Sequence, residues 1–345
     1  MWKYVLKRIG LALVTTVIIL TLTFILMKLL PFQQPVGNDQ TKFAYFMNQV
    51  NMGYVVDFKR PMSNYGDLLF KYVDGSNQKH YFYQVPVMQQ YFAWIKGILT
   101  EWNWGTSTYI MPNVSAITII GSKLPVSLSI NIISVLVSVP LGIILGIVAA
   151  LKKNKPTDHV ISTGIMIFIS IPSFVLITLF MLIFGYTLHW LPTQWPESTA
   201  HTSTKVLGYV IPVLCLSFGS ICGYARFTRA ELCEVMESDY LLLARTKGLT
   251  KRQAIIRHAL RNAMVPIVPS ILAEFIGIFS GSMILENLYG IPGIGSLFVT
   301  ALNLKDYNVL FVDMAIFTTV GLLAGVILDL SYGFIDPRIR MGAKK

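Results

Sequence analysis

The sequence predicts an all-α polytopic membrane protein of six transmembrane helices. Both termini lie inside, a small extracytoplasmic insertion follows helix 1, and a cytoplasmic loop joins helices 4 and 5. Three observations carry this reading. Of 345 residues, 54% are hydrophobic and only 13% charged, with a mean hydropathy of +0.60. The apolar residues fall in runs of about 20, enough to cross a bilayer at about 1.5 Å rise per residue. The basic residues cluster in alternate connections between those runs, which is the pattern the positive-inside rule expects.

The runs are Ile9–Leu30, Val126–Leu151, Val160–Tyr186, Val206–Tyr224, Val265–Leu285 and Val309–Gly333. The first follows "MWKYVLKR" and is too long, with no small-residue cleavage site in "LLPFQQP", to read as a removable signal; it reads as a retained helix. The net charge of +11 sorts by side rather than into a nucleic-acid patch. Lys3, Lys7 and Arg8 precede the first run, and Lys152, Lys153 and Lys155 follow the second. A further cluster lies between the fourth and fifth, and Arg338, Arg340, Lys344 and Lys345 end the chain. The short connections on the other side hold Lys205 and Lys305. Cys215, Cys222 and Cys233 lie in or near the fourth run; without histidine at metal-site spacing they read as small apolar fillers.

The sequence divides into an N-terminal helix (1–30), an extracytoplasmic segment (31–123) and a five-helix core (124–345) with a loop at 226–264. The outer segment is polar yet rich in aromatics, as in "HYFYQVPVMQQYFAWIKG". "KYVDGSNQKHYFY" predicts two strands around an Asp74-Gly75 turn. Gln89–Leu99 predicts an amphipathic helix near the membrane surface, with Trp94, Trp102 and Trp104 at headgroup level. A small folded subdomain and a membrane-hugging loop both fit. Gly142/Gly146, Gly219/Gly223, Gly277/Gly281 and Gly321/Gly325 repeat Gly-x-x-x-Gly, which predicts close helix packing.

"SDYLLLARTKGLTKRQAIIRHALRNA" (238–263) is the polar exception between two oily runs. Acids first and bases last suit a short helix from Tyr240 to Lys247, ended by Gly248 in a left-handed conformation. Thr250 and Gln253 form a capping box for a second helix running to about Ala263. In that helix Ala254 or Ile255, Ala259 and Leu260 or Ala263 form the apolar side. Three consecutive leucines, Leu241 to Leu243, are more than a simple connector needs. A DNA-reading helix–turn–helix shares the outline, but a segment tethered at both ends in the membrane cannot reach a major groove. A docking knob for a cytosolic partner fits best.

These residues resemble the cytoplasmic loop of permease subunits in bacterial ATP-binding-cassette importers, in particular the oligopeptide/dipeptide/nickel branch. The resemblance rests on Arg226 and Arg229 in "YARFTRAEL", Asp239-Tyr240, Ala244-Arg245, Lys247-Gly248, His258-Ala259 and Arg261-Asn262-Ala263. Where the wider class has Glu-Ala-Ala, this chain has Leu242-Leu243-Ala244. Further on, Glu286, Pro292, Gly293, Gly295, Ala301 and Asp306 match the family's series. Asp329, Tyr332, Asp336, Pro337 and Arg338 match its ending. "WNWGTS" and "KLPVSLSI" sit where the family has Gly-x-Ser and Leu-Pro-x-Thr/Ser-Leu. The match is loose over 1–30 and good from about 85 to the end, with 31–84 longer than in many relatives.

The resemblance implies a permease subunit in a bacterial cell membrane. Its implied partners are a second homologous permease, two cytosolic ATPase subunits and an extracytoplasmic substrate-binding protein. Peptide is the implied cargo, with nickel or haem as alternatives. ATPase coupling falls to Asp239, Tyr240, Leu243, Ala244, Arg245, Lys247 and Gly248. No Gly-x-x-x-x-Gly-Lys-Ser/Thr, Gly-x-Ser-x-Gly or His-Glu-x-x-His occurs, so ATP and Mg²⁺ are expected in partner subunits, with no cofactor, metal or catalytic residue in this chain. Glu274, Asn131 and Asp313, polar within apolar runs, are pathway candidates. In the alternative, an ion- or proton-coupled secondary transporter, Glu274 or Asp313 would do the coupling, but such a protein needs no cytosolic docking helix; Glu274 equally fits a hydrogen bond inside the bundle, and Asn131 fits helix-packing glue. Asp329 is expected to pair with a loop arginine. Pro292, Gly293 and Gly295 in "IPGIG" are gate candidates, an ordinary outer loop being the other reading.

Overall fold

The computed structural model describes residues 2–30, 34–35, 37–62 and 66–335. Asp336, Pro337, Arg338 and the remaining C-terminal bases lie outside the described residues, as does the side chain of Tyr332. The chain is mostly helical. Five helices are long and apolar enough to cross a membrane, and six spans result if one bent pair is counted as one. The structure divides into two compact units, one of residues 9–124 and 297–320, the other of 1–8, 125–296 and 321–345. Packing groups both 9–30 and 297–320 with the outer segment, so the unit shows no division at 30/31.

In the unit that holds the outer segment, α1 (Trp2–Leu29) leads to α2 (Asp39–Asn51). Asn38 caps α2 by accepting from the Thr41 N–H at 2.8 Å. Three antiparallel strands follow, β1 (Val55–Phe58), β2 (Leu68–Val73) and β3 (Lys79–Gln84), in the order β1-β3-β2. The expected Asp74 turn joins β2 to β3. Asp74 Oδ1 accepts from Ser76 Oγ and from the N–H groups of Gln78 and Ser76, at 2.7 to 3.0 Å. Phe46, Phe70 and Phe82 stack over this sheet, with Phe46 and Phe82 fully buried. Neither α2 nor β1 was predicted; α2 carries Gln and Asn on an irregular apolar pattern, and β1 has only four residues.

α3 (Val87–Glu101) is the expected amphipathic helix, two residues longer at each end. Trp94 is turned into the protein, however. It is 7% exposed and stacked on Phe24 of α1, with Phe311 edge-on at 5.1 Å. Trp102, 68% exposed, stays outside that core. Aromatic density here signals a packed core, which decides for a folded subdomain.

In the second unit, α4 (Ala116–Leu151) is long enough, at about 54 Å, to exceed the ~30 Å hydrocarbon thickness. The third predicted span is broken: α5 (Pro156–Ile169) and α6 (Ser173–Phe180), which continues as a π-turn to Thr187, meet at 99°. Pro172 explains the break, since it disfavours helical geometry at Ile171 before it. α7 (Thr202–Gly208) precedes α8 (Val210–Met236), which runs twelve residues beyond the predicted end at Tyr224. After the loop helix α9 (Asp239–Thr246), α10 (Lys251–Ala254) passes through a π-turn at Ile255–Ala259 into α11 (Leu260–Gly277). The second loop helix therefore does not stop at Ala263; it becomes the fifth span. That span ends at Gly277 rather than Leu285, because the backbone turns at Gly281 with φ +58°. α12 (Met283–Tyr289), α13 (Ile294–Leu304) and α14 (Tyr307–Ile335) complete the chain, the last two reaching into both units.

Of the four Gly-x-x-x-Gly pairs, Gly142/Gly146 makes the expected contact. A Cβ on Gly142 would meet the Ile221 carbonyl at 2.9 Å, and one on Gly146 the Ala225 carbonyl at 2.6 Å. Gly219/Gly223 and Gly321/Gly325 have nothing within 4 Å, and Gly277/Gly281 brackets the break after α11. Spacing alone does not tell which helix face meets a neighbour.

Candidate functional site

The loop helix α9 is seated by its own alternation of faces. Leu241 and Ala244 are buried at 5% and 9% exposure, Leu241 in a cluster with Leu232 and Cys233 of α8 and with Ala254, Ile255, Ala259 and Ala263. The last four are the predicted apolar side of the second helix, while Lys251, Arg257, His258 and Arg261 face outward. Leu242 (61%) and Leu243 (56%) remain exposed beside Tyr240, Asp239, Arg245 and Lys247. Of the seven coupling candidates, Ala244 is thus turned inward as a seat. Leu242, which was not among them, stands outward with Leu243. The signal for it was present, since three consecutive residues on a helix span roughly 200° and cannot all face the same side.

Local geometry fixes the element. Gly248 adopts φ +97° after the helix, a region costly for any residue with a Cβ. Thr250 and Gln253 close the predicted capping box, with the Gln253 amide oxygen accepting from Thr250 N–H at 3.0 Å. Nearby, Arg229 of α8 makes a two-pronged pair with Asp158 of α5, at 2.6 and 2.7 Å. Asp158 is 1% exposed and also accepts from Asn154 N–H and Ser162 Oγ. Lys153 pairs with Glu237, which raises the lysine's pKa. Asp329 pairs with Arg8 at 3.0 Å, not with a loop arginine as expected.

In the same unit, the "IPGIG" segment is held by a carboxylate. Glu286 is 3% exposed; it accepts from Ser127 Oγ at 2.7 Å and from Ser296 N–H at 3.0 Å. Ser127 Oγ in turn accepts from Ile294 N–H at 2.9 Å. A Cβ on Gly293 would lie 2.3 Å from Ser127 Oγ and 2.4 Å from Glu286 Oε2; one on Gly295 would lie 2.7 Å from Met283 N. The glycines are required by this close approach. Pro292 precedes them, partly exposed. Glu286 and Ser127 were read as motif positions without a role, and the structure supplies one.

Asp306 does the same in the other unit. It is fully buried and accepts from Ser107 Oγ at 2.5 Å and from the N–H groups of Thr108, Tyr109 and Ile110 at 2.9 to 3.2 Å. The Gly-x-Ser of "WNWGTS" is the partner of this aspartate. The pathway candidates separate. Asn131 donates to the Ile278 carbonyl at 2.6 Å, satisfying the backbone freed where α11 ends. Glu274, half-buried, accepts from Ser138 Oγ at 3.4 Å within the bundle. Asp313 is fully buried in the unit of the outer segment.

The described residues thus carry several helices apolar enough to cross a membrane, an exposed loop helix and two carboxylate-held turns. A family described as binding-protein-dependent transport system inner membrane component matches residues 142–341. The chain is 31% identical over 342 residues to the dipeptide transport system permease protein DppB of Lactococcus lactis subsp. cremoris, covering 99% of this chain and 100% of that one. It is 31% identical over 340 residues to the oligopeptide transport system permease protein OppB of Escherichia coli K12, covering 99% and 100%. A crystal structure of an amino acid ABC transporter with histidines is similar at 19% identity, covering 63% of this chain and 94% of that one, with a TM-score of 0.46. The chain belongs to the family of inner-membrane components of binding-protein-dependent transport systems. These relatives align along nearly the whole chain, residues 31–84 included.

Proposed function

We propose that this chain is a permease subunit of an ATP-driven peptide importer in a bacterial inner membrane. Its partners are a second permease, two cytosolic ATPase subunits that hold ATP and Mg²⁺, and an external binding protein. The observation that carries the coupling role is the exposed pair Leu242 and Leu243 on a helix seated by Leu241 and Ala244. Exposed leucines on a two-turn helix gain from being covered, at roughly 25 cal/mol per Å² of apolar surface. An ATPase groove supplies that cover, and nucleotide-driven closure of the ATPases moves the helix and the spans attached to it. Asp239, Tyr240, Arg245 and Lys247 form the polar rim, and Gly248 sets the exit angle. The turn of Pro292, Gly293 and Gly295 is a rigid outer element rather than a loose gate, since Glu286 and Ser127 hold it.

The cargo reading follows from the relatives named for dipeptide and oligopeptide transport. It is tested by uptake of labelled di- to octapeptides in cells with and without this chain. Peptide uptake that depends on the chain is expected. Loss of nickel or haem uptake, with all peptides unaffected, would overturn it.

A further inference from the structure

A cavity of about 90 Å³ lies wholly within the unit that carries the outer segment. Several separate segments converge on it: the end of α1 brings Lys28, α2 brings Tyr45 and Gln49, the start of β1 brings Tyr54, and the loops bring Thr108 and Lys305. Lys28 is half-buried, and its ammonium sits 3.9 Å from the centre of the Tyr54 ring and 5.6 Å from that of Phe24. No carboxylate lies within ion-pair distance of Lys28 or Lys305 among the described residues. An aromatic face offsets part of the cost of withdrawing an ammonium from water but supplies no hydrogen-bond acceptor. Gln49 is 5% exposed, and its buried Nε2 has no partner. Burial raises the Tyr45 and Tyr54 phenols, so both stay protonated at neutral pH. Asp306, whose charge acts on Tyr45, is already held by Ser107 Oγ and three backbone N–H groups.

The pocket therefore presents a cation and an orphaned amide donor to a space lined by amides and protonated phenols but by no carboxylate. Its volume admits a few waters or one carboxylate-sized group, not a whole amino acid. Leu30, 47% exposed, and the exposed Lys305 stand at its rim. We infer that this pocket binds a single carboxylate, that of the carboxyl terminus of a short peptide, with Lys28 and the Gln49 amide as its donors. The inference deepens the peptide-import reading and fails separately from it, because its test measures binding without uptake.

The test is the rate at which an amine-reactive acylating reagent modifies Lys28 in the purified full-length chain in detergent, read by mass spectrometry of the Lys28 peptide. Acetate and N-acetyl-Ala-Ala are the probes, with N-acetyl-Ala-Ala-amide and inorganic phosphate as controls. Acetate and the free acid are expected to slow modification several-fold, while the amide and phosphate leave it unchanged. Gln49→Leu, which removes the orphaned donor without adding charge, is expected to weaken protection by roughly tenfold in probe concentration. Equal rates with and without the acids, equal protection by the amide or by phosphate, or unchanged protection in Gln49→Leu would overturn the inference.

Discussion

Glu286 and Asp306 anchor their turns by accepting from backbone N–H and serine hydroxyl groups rather than by pairing with cations. A buried carboxylate used this way is hard to replace, because its loss leaves several donors without partners. Asp306→Ala is expected to destabilise the purified chain by roughly 3 kcal/mol or more, seen as a lowered thermal transition in detergent. Gly293→Ala is expected to disrupt the Glu286 turn and abolish transport, since its new methyl would overlap Ser127 Oγ. Uptake at the normal rate would show that the turn is dispensable. The Asp74 carboxyl is held below its ordinary value, chiefly by Ser76 Oγ–H and then by Gln78 N–H. A depressed folded value means that its contribution is complete above the unfolded pKa near 3.8 and fades as pH falls through the lower folded one. The gap in thermal transition between the wild type and Asp74→Ala should therefore be open at pH 6 and close on acidification below that range. Glu286 and Asp306 stood out in the sequence as motif residues, yet the serine hydroxyls that bind them lie 159 and 199 residues away along the chain. No local pattern joins positions so far apart.

Local signals read well at the scale of elements and long-range ones poorly. The Thr250–Gln253 box, the glycine stop at 248 and the Asp74 turn were legible because each is built from residues within four of one another. The bend in the third span was not, since Ser-Ile-Pro inside an apolar run leaves mean hydropathy high while ending the helix. The outward stance of Leu242 needed helix periodicity applied residue by residue. For α9, two substitutions separate seat from docking face. Leu241→Asp is expected to unseat the helix and lower the yield of folded chain, since it buries a charge among Ala254, Ile255 and Ala259. Leu242→Asp leaves the seat intact, so folded yield should stay near wild type while association with the ATPase falls at least tenfold in co-purification. Equal loss of folded protein in both would contradict the division of faces.

Across the whole molecule, composition and the spacing of apolar runs pointed to the membrane class, and the six predicted runs compare with five long apolar helices, or six spans if the bent pair counts as one. The way the outer segment packs was not visible there. Its Trp94 was assigned to a lipid boundary, yet it stacks on Phe24 in a buried core with Phe311. Aromatics at a bilayer edge and aromatics in a small core have the same composition, and only contacts distinguish them. The central claim is that energy from ATP enters these spans through the exposed face of α9. The most direct measurement is ATP-dependent peptide uptake by proteoliposomes of the complete importer carrying Leu242→Asp and Leu243→Asp together. Correctly inserted permease with uptake reduced at least tenfold is the expected result. Uptake and ATPase association at wild-type levels would contradict it.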